Sequence, residues 1–114
     1  MSAANVERRV AATKADLADA IAERLREVIA DAVASRGVAH VVLTGGSMGE
    51  ASARALASLD DIDWAHVHLW WGDERFLPEG DPDRNHTQAR AALLDSVPLD
   101  PARVHPMPAS DGPA

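Results

Sequence analysis

Cysteine is absent from the 114 residues. That excludes disulfides, thiolate metal sites and a thiol nucleophile. Tyrosine is absent as well, and there is one phenylalanine. The chain therefore has no aromatic platform on which successive bases of single-stranded nucleic acid would stack. Basic residues are outnumbered: 11 Lys and Arg against 18 Asp and Glu leave a net charge of −7. A nucleic-acid surface needs the opposite balance. An acidic chain binds an anionic metabolite only by gathering its few cations in one place. No apolar run approaches the ~18 residues of a membrane span. The stretch Met1 to Val10 is mixed and charged, without the apolar segment of a secretory signal. These absences lead us to expect a soluble, cytoplasmic protein without nucleic-acid or membrane partners.

What is present suits one small domain. The chain is 46% hydrophobic and 25% charged, ordinary for a globular protein. Val6 to Val10 reads as a short edge strand. Thr13-Lys14-Ala15-Asp16 has the form of a capping box. Behind it Leu17, Ile21, Leu25, Val28 and Ala32 recur at spacings of three and four, the apolar face of a helix that Arg36 and Gly37 end. Val38 to Thr44 is a continuous apolar strand, as in a parallel sheet buried on both faces. Gly45-Gly46-Ser47 is a turn. Met48 to Leu59 reads as a helix with Met48, Ala51, Ala55 and Leu59 on one face. Val67 to Trp71 is a second strand. A loop follows to Asn85, then a helix over His86 to Asp95 carrying Ala89, Leu93 and Leu94. Arg103-Val104-His105 starts another strand, and residues 106–114 form an irregular tail. Strands alternating with helices give an α/β fold, an open parallel, Rossmann-like sheet with flanking helices.

Two strand ends carry chemistry. In open α/β sheets, ligands bind where the strands end. Leu69-Trp70-Trp71 runs into Gly72-Asp73-Glu74-Arg75. A carboxylate beside an arginine stays ionised, and the arginine can grip a phosphate or face a developing oxyanion. The plainer reading is a solvated ion cluster. Upstream, Thr44-Gly45-Gly46-Ser47 can cradle a phosphate on backbone amides and the Ser47 hydroxyl. Its plainer reading is an ordinary turn with Ser47 as a helix N-cap. It is neither a P-loop nor a dinucleotide fingerprint. His66 and His68, two apart on one strand, would share a face, but no third ligand is spaced for a metal. His40, His86 and His105 are scattered. Trp64, Trp70 and Trp71 read as core and helix–sheet packing. The run Asp60 to Asp63 reads as a solvated linker.

Taken together, these blocks resemble the sugar-phosphate lactonase/isomerase superfamily, and within it the 6-phosphogluconolactonases of the pentose phosphate pathway. The resemblance rests on Leu43-Thr44-Gly45-Gly46-Ser47 and on Asp63 through Pro78, with Trp71-Gly72-Asp73-Glu74-Arg75 its most specific part. Asn85, Ala89 to Leu94 and Val104-His105-Pro106-Met107-Pro108 follow in the family's order. It runs from about Thr13 to the C-terminus.

The resemblance implies hydrolysis of 6-phosphogluconolactone to 6-phosphogluconate, with a phosphorylated sugar lactone as ligand and no metal or organic cofactor. It implies that Gly45, Gly46 and Ser47 hold the phosphate, together with Glu74 and Asn85 as substrate-binding residues. Arg75 supplies positive charge and Asp73 lines the reacting centre. The alternatives are glucosamine-6-phosphate deaminase chemistry on the same fold, or a non-catalytic anion-binding fragment. Glu74-Arg75-Phe76-Leu77-Pro78 favours the lactonase. The sequence departs from the family twice. Where members often carry Ser-Thr-Pro, this chain has Ser47-Met48-Gly49. The family's Gly-x-Asp-Gly-His motif, whose histidine is thought to activate water, has no counterpart, since Asp111-Gly112 is followed by Pro113. Residues 1–114 are accordingly read as a single partial domain, the N-terminal half, with a truncated sheet. Such a chain is expected to be inactive alone and to self-associate through an uncovered sheet edge.

Overall fold

The computed structural model of the chain describes residues 13–112, so the expected strand at Val6 to Val10 lies outside the described residues. The first helix, α1 (Lys14–Arg36), starts as its capping residues dictate. Thr13 is the N-cap, and its Oγ1 accepts a bond from the Asp16 amide at 3.1 Å. Gly37 closes the helix with φ 77°, donating to the Val33 carbonyl. Strand β1 (Ala39–Leu43) follows, then α2 (Gly46–Ala57), a 3-10 turn at Trp64–His66 and β2 (Val67–Trp71). A loop leads to α3 (Asn85–Ala92), two further 3-10 turns and β3 (Val104–His105). Among the described residues, no helix is long and apolar enough to cross a membrane.

The sheet is wholly parallel, in the order β1-β2-β3. Ala39 pairs with Val67 and Leu43 with Trp71 across β1 and β2, and Leu69 pairs with Val104 across β2 and β3. This register puts Ala39, Val41, Leu69, Val67 and Trp71 on one buried face. Against that face lie Ile29 and Ala32 of α1, Ala53 and Leu56 of α2, and Ala92 and Leu93 at the end of α3. Val67, Leu69 and Leu93 have no exposed surface. Each contributes about 1.5–3 kcal/mol relative to an exposed position.

All three helices serve one side of the sheet, which corrects the expectation of burial on both. The other face carries His40, Val42, His68, Trp70 and His105. Val42 is 62% exposed and Trp70 40%. Continuous apolarity therefore marks the strand correctly but not its environment. The helix faces are also displaced from expectation. α1 buries Ala18, Ala22, Ile29 and Ala32 and leaves Val28 largely exposed; α2 buries Ala53 and Leu56 rather than Met48 and Ala51. In alanine-rich helices the face that packs is the one with small residues, because it lets the backbones approach. Hydrophobicity alone points about one position away.

Candidate active site

Parallel pairing brings the C-terminal ends of β1 and β2 side by side, and the Gly72 amide bonds to the Leu43 carbonyl at 3.3 Å. The two turns expected to carry chemistry therefore open on the same edge of the sheet. Asn85, the first residue of α3, joins them. Its Nδ2 donates to the Asp73 carbonyl at 3.2 Å and lies 3.4 Å from Oδ1 of Asp73. On its other side it packs against Gly45 so closely that a Cβ there would stand 2.1 Å from Asn85 Oδ1. Only glycine accepts that approach.

α2 begins two residues earlier than its apolar pattern suggests. Gly45 is the N-cap, makes no side-chain capping bond, and is followed by Gly46 at φ 82°. Ser47 is the second residue of the helix, not its cap, so the plainer reading of that serine does not hold. Its exposed side chain and the uncapped first turn lie next to the Asn85–Gly45 contact. Gly49, one turn further on, is pinned as well: a Cβ there would meet the Thr44 carbonyl oxygen at 2.3 Å. An apolar groove of about 360 Å³ flanks this turn, lined by Ile21, Leu25, Val42, Met48 and Leu56 among others. It contains no charged group and is unsuited to phosphate.

The three charged residues after β2 have different environments. Asp73 and Arg75 are exposed. Among the described residues the Arg75 guanidinium has no ion-pair partner, and it lines a cleft of about 210 Å³ with Glu74, Phe76, Met107 and Pro108. Glu74 is the exception. Its side chain is 3% exposed. Its carboxylate accepts the amides of Asn85 at 2.6 Å, His86 at 2.8 Å and Arg75 at 2.8 Å. Burial pushes this carboxyl up, but the three amides and the Arg84 charge outweigh it, and it sits below the usual carboxylate range. Both oxygens are occupied by the chain itself. Glu74, expected to bind substrate, is thus held by backbone amides in this structure. Glu74 caps α3 from outside the helix, a carboxylate at the positive end of the dipole.

Arg84 completes the arrangement and escaped sequence reasoning. An arginine between Asp83 and Asn85 in a polar loop reads as solvated, yet it has no exposed surface. The histidines lie in three places. His66 lies in a 3-10 turn rather than on β2, with Nδ1 2.7 Å from Asp63. The supposedly scattered His40 and His105 instead meet His68 on the open sheet face. His68 Nδ1 lies 2.9 Å from His105 Nε2, and Trp70 donates to His40 at 3.1 Å while stacking on His105. Trp70 is therefore not core, unlike Trp64 and Trp71. His86 packs edge-on against Trp71, with Nδ1 3.3 Å from Glu79, and its pKa is lowered chiefly by burial. Among the described residues none of the five rings is hydrogen-bonded or ion-paired to Asp73, Arg75 or Asn85. No group of ligating side chains able to hold a metal occurs there either.

Residues 12–114 match the family model described as glucosamine-6-phosphate isomerases/6-phosphogluconolactonase. The chain is 65% identical over 100 residues to a 6-phosphogluconolactonase of Streptomyces coelicolor, covering 85% of this chain and 38% of that protein. It is 53% identical over 97 residues to one from Mycobacterium tuberculosis, covering 84% and 39%. Among solved structures it resembles a putative 6-phosphogluconolactonase from Neisseria gonorrhoeae, with a TM-score of 0.68 and 27% identity over 84% of this chain and 40% of that one. A monomeric glucosamine-6-phosphate deaminase shares the fold, with a TM-score of 0.74 at 19% identity over 88% and 41%. The chain spans about two-fifths of the length of the curated relatives it matches.

Proposed function

The chain belongs to the glucosamine-6-phosphate isomerase/6-phosphogluconolactonase family, and on that premise we propose that it forms the phosphate-holding and carbonyl-facing part of a 6-phosphogluconolactonase. The observation that carries this reading is Asn85, which ties the Gly45 turn to Asp73 within hydrogen-bond reach. In the reaction, water adds to the lactone carbonyl, negative charge develops on its oxygen, and the ring C–O bond breaks to give the 6-phosphogluconate carboxylate. The Gly46 and Ser47 amides and the Ser47 hydroxyl receive the phosphate. Arg75, exposed and without a carboxylate partner among the described residues, offsets the developing charge. Asp73 lines the reacting centre, and Asn85 fixes the distance between the two turns. Glu74 acts through Asn85 rather than on substrate. With no described histidine hydrogen-bonded or ion-paired to Asp73, Arg75 or Asn85, the 114-residue chain by itself should bind substrate without accelerating hydrolysis. The same reading places the protein in the cytoplasm, with its phosphorylated substrate.

The test is a chimera in which this chain replaces the matching 100 residues of the Streptomyces coelicolor protein. It should hydrolyse 6-phosphogluconolactone well above the buffer rate. Arg75→Ala in that chimera should lower kcat/KM by roughly 30- to 1000-fold, the kinetic equivalent of about 2–4 kcal/mol. A folded but inactive chimera, or an unchanged kcat/KM in the variant, would overturn the assignment.

A further inference from the structure

We infer that Arg84 is a positioning residue: buried behind the strand-end loop, it holds Glu74, and through Glu74 the start of α3 and Asn85, where the site needs them. The inference rests on the reading of Asn85 and Asp73 as substrate-facing. Arg84 is fully buried, and its Nε has no hydrogen-bond partner among the described residues. A buried, incompletely satisfied guanidinium is expensive, and a well-packed apolar residue of similar volume often serves stability as well or better. What an apolar residue cannot do is hold several acceptors in fixed directions.

Arg84 does this for three acceptors in two separate segments. One terminal nitrogen donates to Glu79 at 2.7 Å, in the loop after β2. The other donates to the Met107 carbonyl at 2.8 Å, beyond β3, and lies 3.7 Å from Oε2 of Glu74. The planar fork of arginine suits this; a lysine ammonium is a single point charge. Arg84 is also the N-cap residue of α3, yet makes no side-chain capping bond. Its side chain turns inward, and Glu74 caps the helix in its place. The chain of contacts is therefore Arg84 to Glu74, Glu74 to the Asn85 and His86 amides, and Asn85 to Asp73 and Gly45. The tail shares in it. Met107 accepts from Arg84, the Ser110 amide bonds to the Leu77 carbonyl at 2.9 Å, and the Glu79 amide to Asp111 at 2.9 Å. Residues 106–112 have no regular secondary structure but are tied to the loop that carries Arg75.

The experiment uses the ¹⁵N-labelled full chain. The Asn85 and His86 amides are followed from pH 7 to pH 3, since both report protonation of Glu74. His86, Arg75 and Arg84 are the other charged or titratable groups around that carboxyl. In the wild type both amides should move with one midpoint below 4.5, the ordinary value. Arg84→Met should raise that midpoint. Arg84→Lys, kept as the variant more certain to fold, should raise it less while losing the Met107 anchor. In parallel, 6-phosphogluconate is titrated and read on the Gly46 and Ser47 amides. Its affinity should fall by about tenfold in either variant, the value of one hydrogen bond. An unchanged midpoint in both variants would overturn the proposal, as would a moved midpoint with unchanged affinity. If the wild type fails to bind 6-phosphogluconate, the functional reading fails, and the midpoint still decides whether Arg84 holds Glu74.

Discussion

Gly45→Ala perturbs the side-chain contact by which Asn85 joins the two strand-end turns. The added Cβ would stand 2.1 Å from Oδ1 and 2.6 Å from Cγ of Asn85, well inside the 3.0 Å that such atoms essentially never cross. The obstacle is a short side chain, so Asn85 will swing away rather than the backbone move. In doing so it gives up its bonds to Asp73 at 3.2 and 3.4 Å. Those bonds are worth about 0.5–1.5 kcal/mol net for the better one. A strained rotamer and local overpacking bring the expected loss to about 1–3 kcal/mol. For a domain of this size that is a fall in Tm of roughly 4–20 °C. The assay is urea unfolding followed by tryptophan fluorescence, on the wild type, Gly45→Ala, Asn85→Ala and the double variant. Removing the Asn85 side chain removes the clash, so the double variant should be more stable than the sum of the two single losses predicts, by about 1 kcal/mol or more. Additivity within about 0.5 kcal/mol, or an unchanged midpoint in Gly45→Ala, would refute the contact and with it the joined site.

Gly49→Ala should be the more damaging glycine replacement, because its obstacle is the Thr44 backbone at 2.3 Å and no side-chain truncation relieves it; a urea midpoint at or above that of Gly45→Ala would contradict this. Stability should be greatest above pH 6.5 and decline as the pH falls below it. His86 and His68 titrate below the ordinary 6.5 in the folded chain, chiefly through burial, so the unfolded state takes up protons first. Glu74 contributes stability that is present above its ordinary 4.5 and lost as the pH falls through its lower folded value; a urea midpoint flat from pH 8 to pH 3.5 would contradict both effects. Val42→Lys, on the open sheet face, should reduce any concentration-dependent self-association seen by sedimentation without lowering Tm; an unchanged association constant would move the contact to the β1 edge.

Much of this fold is legible because parallel strands are short apolar runs with abrupt ends. Val67 to Trp71 appears with the boundaries expected, and β1 differs by a residue at each end. Thr13 and Gly37 bracket α1 because capping is local chemistry written in one or two side chains. What stayed hidden was the environment of each face. His40, Val42, His68 and Trp70 alternate with buried residues, and alternation in β1 and β2 is visible in the sequence as His-Val-Val-Leu and His-Leu-Trp-Trp. The apolar Val42 and Trp70 conceal it, since an exposed valine and a buried one are the same letter. The three histidines on that face are far apart in the chain and are neighbours only through the register of His40 with His68 and Trp70 with His105.

The site shows the same division between local and long-range information. Gly45, Asp73 and Arg75 stand out in the sequence because strand ends, glycines and abrupt charge coincide there, and Asn85 stands out through the family resemblance. Their division of labour does not. Asp73, Glu74 and Arg75 are consecutive, yet only the middle one is buried, since a chain leaving a strand points successive side chains to opposite sides. A buried carboxylate must find donors, and the nearest free ones are the amides at the start of α3. Once Glu74 is committed to them, Asn85 is carried to Asp73 and Gly45, and a cation behind the carboxylate adds to the charge-holding effect of its three amide bonds. Arg84 occupies that place. The exposed pair, Asp73 and Arg75, is left facing outward, with no ion-pair partner for Arg75 among the described residues. Of the three consecutive charges, Glu74 is the one the chain's own amides already hold, and on the proposed reading Asp73 and Arg75 are the two left to meet substrate.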